Sequence, residues 1–366
     1  MIYTRFKNMI SGTFLLGCAG VFIAFPALCV QSFSDGLHLC ANSLLPALFP
    51  FFIVSTLLLE SPAAVWLAQP LHPLCRILGC KSRKAPLLLL LGWLGGYTAL
   101  AAGAALCSRR REITPDELSR LLPAGVICSP GFASAVGGIM LGRPILGVFL
   151  YASNLVAGVL CGLIVRIFCG CKTTRIDFLP SSTFSSSSPQ GLSGAVSDAV
   201  HSSLLVCGNV IFFRMLLALM DLFLPTGIWQ ALAAGSLEIS SGCRIWAAQP
   251  GSVSIPGCCG CLSILSLSVW CQLHSLSQGA YSLRSLALTR PFHLVFSLLF
   301  LSIILRVFPE SSPAVHSYAA RVLLRRRLPG DRALLLFVFC CLILDQLEKA
   351  SLYKKGNSSY TKNDFK

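Results

Sequence analysis

The sequence predicts an all-α, polytopic integral membrane bundle with two similar halves containing broken or re-entrant helices. Three observations carry that reading. Hydrophobic residues are 55% of the 366, and mean hydropathy is +0.74. Charged residues are only 12%, about half of the roughly one quarter with which a soluble domain dresses its surface, so the outer surface must face an apolar phase. The 29 Lys and Arg outnumber the 14 Asp and Glu by 15. These cations sit in short runs between apolar stretches, as membrane-flanking loops and anionic headgroups favour, so the expected partner is the lipid bilayer and not nucleic acid.

A spanning helix needs about 20 mostly apolar residues. Residues 11–30 supply the first, behind Arg5 and Lys7, which suggest a cytoplasmic N-terminus; the many later spans favour an uncleaved helix over a signal peptide. Residues 41–59 supply the second, with Pro46 and Pro50 as points of kinking. Residues 85–107 follow, flanked by Lys81, Arg83 and Lys84 on one side and Arg109, Arg110 and Arg111 on the other. A simple crossing should not carry cations at both ends. With glycine at 92, 95, 96 and 103, this segment reads as a re-entrant hairpin, a plain helix being the alternative. Thr114 and Glu117 have the spacing of a capping box. Spans at 121–141 and 144–168 complete a first membrane half, residues 1–170.

Residues 171–195 form a Ser-rich linker. The second membrane half, residues 196–310, holds spans near 196–224, 255–276 and 292–308 and a short apolar segment, 228–239, that breaks at LEISSGC. Residues 311–366 make a basic C-terminal segment with one further apolar helix at 333–347 and a polar tail. The 18 cysteines show no disulfide spacing and read as small buried thiols.

Glycine-interrupted apolar segments at 92–103 and 128–138 in one half are matched by 235–242 and 266–279 in the other. Such pairs mark inverted-repeat secondary transporters, because a broken helix exposes backbone N–H and C=O groups at mid-depth and a polar substrate or ion can partner them. Close packing through small residues is the alternative. Glu238, between an apolar stretch and a Ser–Gly break, is either an ion-coupling carboxylate lining a pathway or an interfacial acid near Arg244. Arg214, inside VIFFRMLLALMD, either pairs with Asp221 seven residues on or meets an acidic substrate. Gln272, His274, Asn154 and Asn209 place polar groups within spans, as interhelical bonds or as ligand contacts. Cys258, Cys259 and Cys261 contain a CxxC but no second ligand pair, so no metal is expected. The chain lacks a Walker loop, GxSxG and HExxH, so neither an ATP-driven pump nor a hydrolase is indicated, and no enzyme activity or cofactor is expected.

SLLPALFPFF (43–52), GGYTALAAG (95–103), ELSRLLPAGVICSPGF (117–132), YASNLVAGVL (151–160), GSLEISSG (235–242) and SVWCQ (268–272) occur in this order. Together they resemble the YlbJ-type family of sporulation integral membrane proteins, which carry the nucleoside-recognition or Gate domain. The chain departs from the family where Thr98 follows Tyr97 in place of proline, where Cys128 precedes the Ser–Pro pair, and at Trp270–Cys271. The resemblance implies a protein of the mother-cell-derived outer forespore membrane that moves dipicolinate and supports the spore cortex. Combined with the residues above, it points to a substrate site of Gly95, Gly96, Tyr97, Thr98, Ser129, Pro130, Gly131, Asn154, Arg214, Ser240, Ser241, Gly242 and Gln272, with Glu238 for a coupling ion. The alternatives are a non-transporting membrane scaffold and a nucleoside transporter.

Overall fold

Apolar runs punctuated by glycine and proline give helices that stop and restart inside the bundle. The structure, a computed structural model, describes residues 19–169 and 191–308, together with 12, 16 and 17. Phe25 interrupts the first expected span with φ −124° and ψ 55°, and Pro26 opens α1 (Pro26–Leu39). A single π turn, Cys40–Leu44, leads into α2 (Leu45–Glu60). Pro46 explains the irregularity: it has no N–H to give the carbonyl of Asn42, which lies in that turn. Two short helices, α3 (Pro62–Leu67) and α4 (His72–Ile77), precede the basic loop.

Residues 85–109 form the expected hairpin. Its arms, α5 (Ala85–Gly95) and α6 (Tyr97–Arg109), meet at Gly96, whose φ of +80° and ψ of −170° only glycine adopts readily. The arms touch through glycine: a Cβ on Gly92 would lie 3.2 Å from Leu100 Cβ, and one on Gly103 3.1 Å from Leu88 Cδ2. Both bases dock on one end of α2, where Lys84 Nζ donates to Leu59 O and Arg110 Nη2 lies 2.7 Å from Glu60 Oε1. Cations therefore flank the segment on one side because it enters and leaves on one side. At 1.5 Å per residue the arms reach about 16 and 20 Å, roughly half to two thirds of a 30 Å hydrocarbon layer.

A helix broken at residues 126–129 follows, as α7 (Pro115–Gly125) and α8 (Pro130–Ala135), the latter continuing through a π turn at Val136–Met140. The continuous α9 (Pro144–Cys169) comes next. The same order then recurs after α10 (Gly191–Met220). A second hairpin, α11 (Ile228–Leu237) and α12 (Ile239–Ala247), turns at Glu238. A second broken helix, α13 (Gly251–Ile264) and α14 (Leu267–Ser277), is interrupted at Leu265 and Ser266. Continuous α15 (Arg284–Val307) closes the described chain.

The protein is thus an all-α, multi-pass membrane bundle. Among the described residues, five helices are long and apolar enough to cross a bilayer: Pro115–Met140, Pro144–Phe168, Gly191–Met220, Ser252–Ser277 and Arg284–Val307. Among the described residues three of them, an odd number, separate the two hairpins, which sets the hairpins to enter from opposite faces. Contacts agree with that count. On the basic face, Arg166 reaches Ile77 O, Arg109 reaches Gln278 Oε1 and Ser108 Oγ donates to Ala280 O at 2.8 Å. Large apolar side chains such as Ile139, Phe168, Phe212 and Val295 point outward, where lipid solvates them.

One boundary differs from the sequence expectation. α10 begins at Gly191, inside the stretch read as linker, because AVSDAVHSSLLV continues helically into the span. The rest of that linker and the segment after residue 308, with its further helix, lie outside the described residues. Glu60, the last residue of α2, is paired with Arg110. Of the cysteines whose side chains are described, all but Cys271 are buried, as expected for small thiols in apolar packing.

The capping box is present at α7. Thr114 Oγ1 accepts from Glu117 N at 3.1 Å, and Glu117 Oε2 accepts from Thr114 N at 3.0 Å. The other oxygen of Glu117 accepts from Ser82 N at 2.9 Å and from Lys81 N, tying the basic loop to the helix. Burial beneath this junction pushes the Cys80 thiol up to about 12. A raised thiol pKa favours the neutral form, leaving on the order of one thiolate in 10⁵ at pH 7. Glu117→Ala should cost about 2–3 kcal/mol through loss of the cap and both loop bonds. Maleimide labelling of Cys80 at neutral pH, negligible in the native protein, should accelerate in that variant; unchanged labelling and an unchanged melting temperature would show the junction to be idle.

Candidate functional site

The hairpin tips and helix breaks meet inside the bundle because glycine lets backbone approach backbone. A Cβ on Gly96 would sit 3.0 Å from Ser129 N, so the first tip lies against the break in the neighbouring helix. Gly95 is covered by the Phe51 ring. Tyr97 is half-buried and Thr98 is 3% exposed, both opening α6. The second hairpin comes to the same region through α12, which packs against the π turn at Val136–Met140 beyond the first break. Cys40 lies within reach of both Glu238 and Arg214. Arg214 and Asp221 form no ion pair; Asp221 Oδ1 instead accepts from Gln230 Nε2 at 3.0 Å.

Glu238 is 2% exposed and is the N-cap of α12. Its carboxylate accepts from Ser240 N at 2.9 Å, from Ser241 N at 2.8 Å and from the Ser240 hydroxyl at 2.8 and 2.7 Å. The acid is therefore neither interfacial nor paired with Arg244: it is seated on the positive end of a helix. Gly242 is spent on packing, since a Cβ there would lie 2.3 Å from Gly235 Cα. Pro130 and Ser129 start α8, with Ser129 Oγ accepting from Phe132 N at 3.2 Å; Gly131 faces open space. The matching break has the same device, with Ser266 Oγ accepting from Val269 N at 3.4 Å. There Leu265 holds φ +65°, a strained conformation for a branched side chain, and is buried.

Asn154 is fully buried and bridges the halves, its Oδ1 accepting from the Ser263 hydroxyl at 3.2 Å. Gln272 Nε2 donates to Ser268 Oγ at 3.2 Å while its Oε1 has no partner. His274 is exposed and apart from this cluster.

The sequence reading missed the central cation. Arg290 reads as a loop residue beside Arg284, yet it is 4% exposed within α15. Its Nη2 donates to Val126 O at 2.8 Å and its Nη1 to Ser263 O at 3.2 Å. One guanidinium thus holds the carbonyl ends of α7 and α13, one at each break. His293 and Ser297 continue the same buried face, 3.3 Å apart at Nδ1 and Oγ. The legible signal was Thr289, His293 and Ser297 at four-residue spacing within a span.

A crevice of about 110 Å³ opens at the basic face between α2, α6, α10 and α14. It runs along α6 from Ala99, two residues past Tyr97, to Arg109, with Ser55, Asp198 and His201 among its walls. None of the predicted site residues lines it directly. No family model, curated protein or solved structure matches the chain.

Gly242 and Gly131 separate packing from openness. In most helices Gly→Ala stabilises slightly, but Gly242→Ala should destabilise by roughly 1–3 kcal/mol because backbone must move. Gly131→Ala should leave the melting temperature unchanged. Equal behaviour of the two would contradict the close crossing of α11 and α12.

Proposed function

We propose that the protein is a secondary transporter of a small organic anion, with dipicolinate the candidate that the family resemblance implies. One observation carries the reading: two hairpins, each too short to cross, enter from opposite faces and bring their tips together beside a helix break. Such tips expose helix N-termini at mid-depth, where an anion is favourably held. The second tip already seats a carboxylate, that of Glu238, on two backbone N–H groups. The crevice along α6 supports an access route from the basic face, which the positive-inside rule makes cytoplasmic. Tyr97, Thr98, Ser129 and Arg214 are the groups we assign to substrate, and Glu238 to coupling or gating.

The decisive experiment is uptake of labelled dipicolinate by vesicles containing only the purified protein. Saturable uptake above empty vesicles is expected; its absence, with correctly inserted protein, would favour a scaffold. Glu238→Gln should fold and insert, since the amide oxygen still accepts from one N–H, yet lower transport roughly tenfold or more, a barrier change of about 1.4 kcal/mol. Asp35→Asn, an exposed acid on α1, is the control. Wild-type rates and pH dependence in Glu238→Gln would reduce Glu238 to a structural cap.

A further inference from the structure

A buried guanidinium without a counter-ion is unusual, and Arg290 is one. No carboxylate among the described residues pairs with it, and its Nε has no partner. What faces its positive charge is backbone: Val126 O, at the C-terminal end of α7, and Ser263 O, near the C-terminal end of α13. Helix C-termini carry partial negative charge, and in transporters built on broken helices such carbonyl ends coordinate the coupling cation. Here the two breaks, 137 residues apart by the difference of positions 126 and 263, present their carbonyls to a single side chain. The Asn154–Ser263 bond clamps the same point from α9.

We infer that Arg290 is a tethered cation filling the carbonyl-lined cation position made by the two helix breaks, so that no free metal cation binds there. The meaning for coupling rests on the transporter reading, whereas the structural assignment does not. A carrier with its cation built in holds the same charge at the breaks whether loaded or empty, and Na⁺ cannot drive substrate through that position.

The test is thermal unfolding of the purified full-length protein. The wild type should melt at the same temperature in NaCl, KCl and choline chloride of equal ionic strength; a Na⁺-specific rise that remains in Glu238→Gln, and so is not binding at the proposed coupling carboxylate, would overturn the inference. Arg290→Ala should melt roughly 5–10 °C lower, as expected for uncompensated buried carbonyls in a chain of this size. About 10 mM guanidinium, far below denaturing concentration, should restore much of that loss in Arg290→Ala and nothing in the wild type; failure to restore it would overturn the inference. If Arg290→Ala does not fold, Arg290→Lys and Arg290→Met decide. The lysine variant keeps a charge and should be the more stable; equal stability of the two would overturn the assignment. Loss of the transporter reading would register separately, as absent dipicolinate uptake by a wild type whose cation-independence is intact.

Discussion

Backbone polar groups inside a bilayer must be satisfied by the protein, because water is not there to do it. Four interruptions of helix in the interior of this bundle create that demand, and the rest of the architecture answers it. Ser129 and Ser266 cap the restarting helices, Glu238 caps α12, and Arg290 takes the carbonyls left at two helix ends. Glycine supplies the proximity these contacts need, at Gly96 against Ser129 and at Gly242 against Gly235. Removing the interruptions would leave an ordinary bundle with no reason for its buried polar residues.

The arrangement also separates two kinds of polarity. Glu238 and Arg290 are both buried, yet they do not pair; each is answered by a helix end of opposite sign. Partial charges of helix ends are fixed in direction by the fold. An ion pair would instead lock acid to base and hold the two halves in one arrangement.

Local patterns were legible in the sequence, and distant ones were not. The capping box at Thr114 and Glu117 is a four-residue feature and stands as read. The first hairpin was visible because cations on both flanks conflict with a single crossing, and the break at Glu238 because an acid and a Ser–Gly pair interrupt an apolar run. Arg290 was invisible for the opposite reason. It lies near the edge of a hydrophobic window, where cations normally meet water, and its partners are 164 and 27 residues away.

The shortness of the hairpin arms also constrains how the chain is made. An arm of ten or so residues, with cations at both ends of the first hairpin, cannot leave the insertion machinery as a helix stable in lipid. Each hairpin is synthesised before the broken and continuous helices that cover it: residues 85–109 precede 115–169, and residues 228–247 precede 251–307. Both must therefore wait, sheltered, until the next two helices emerge. A chain ended between hairpin and cover would therefore hold a glycine-rich turn with nothing packed over it.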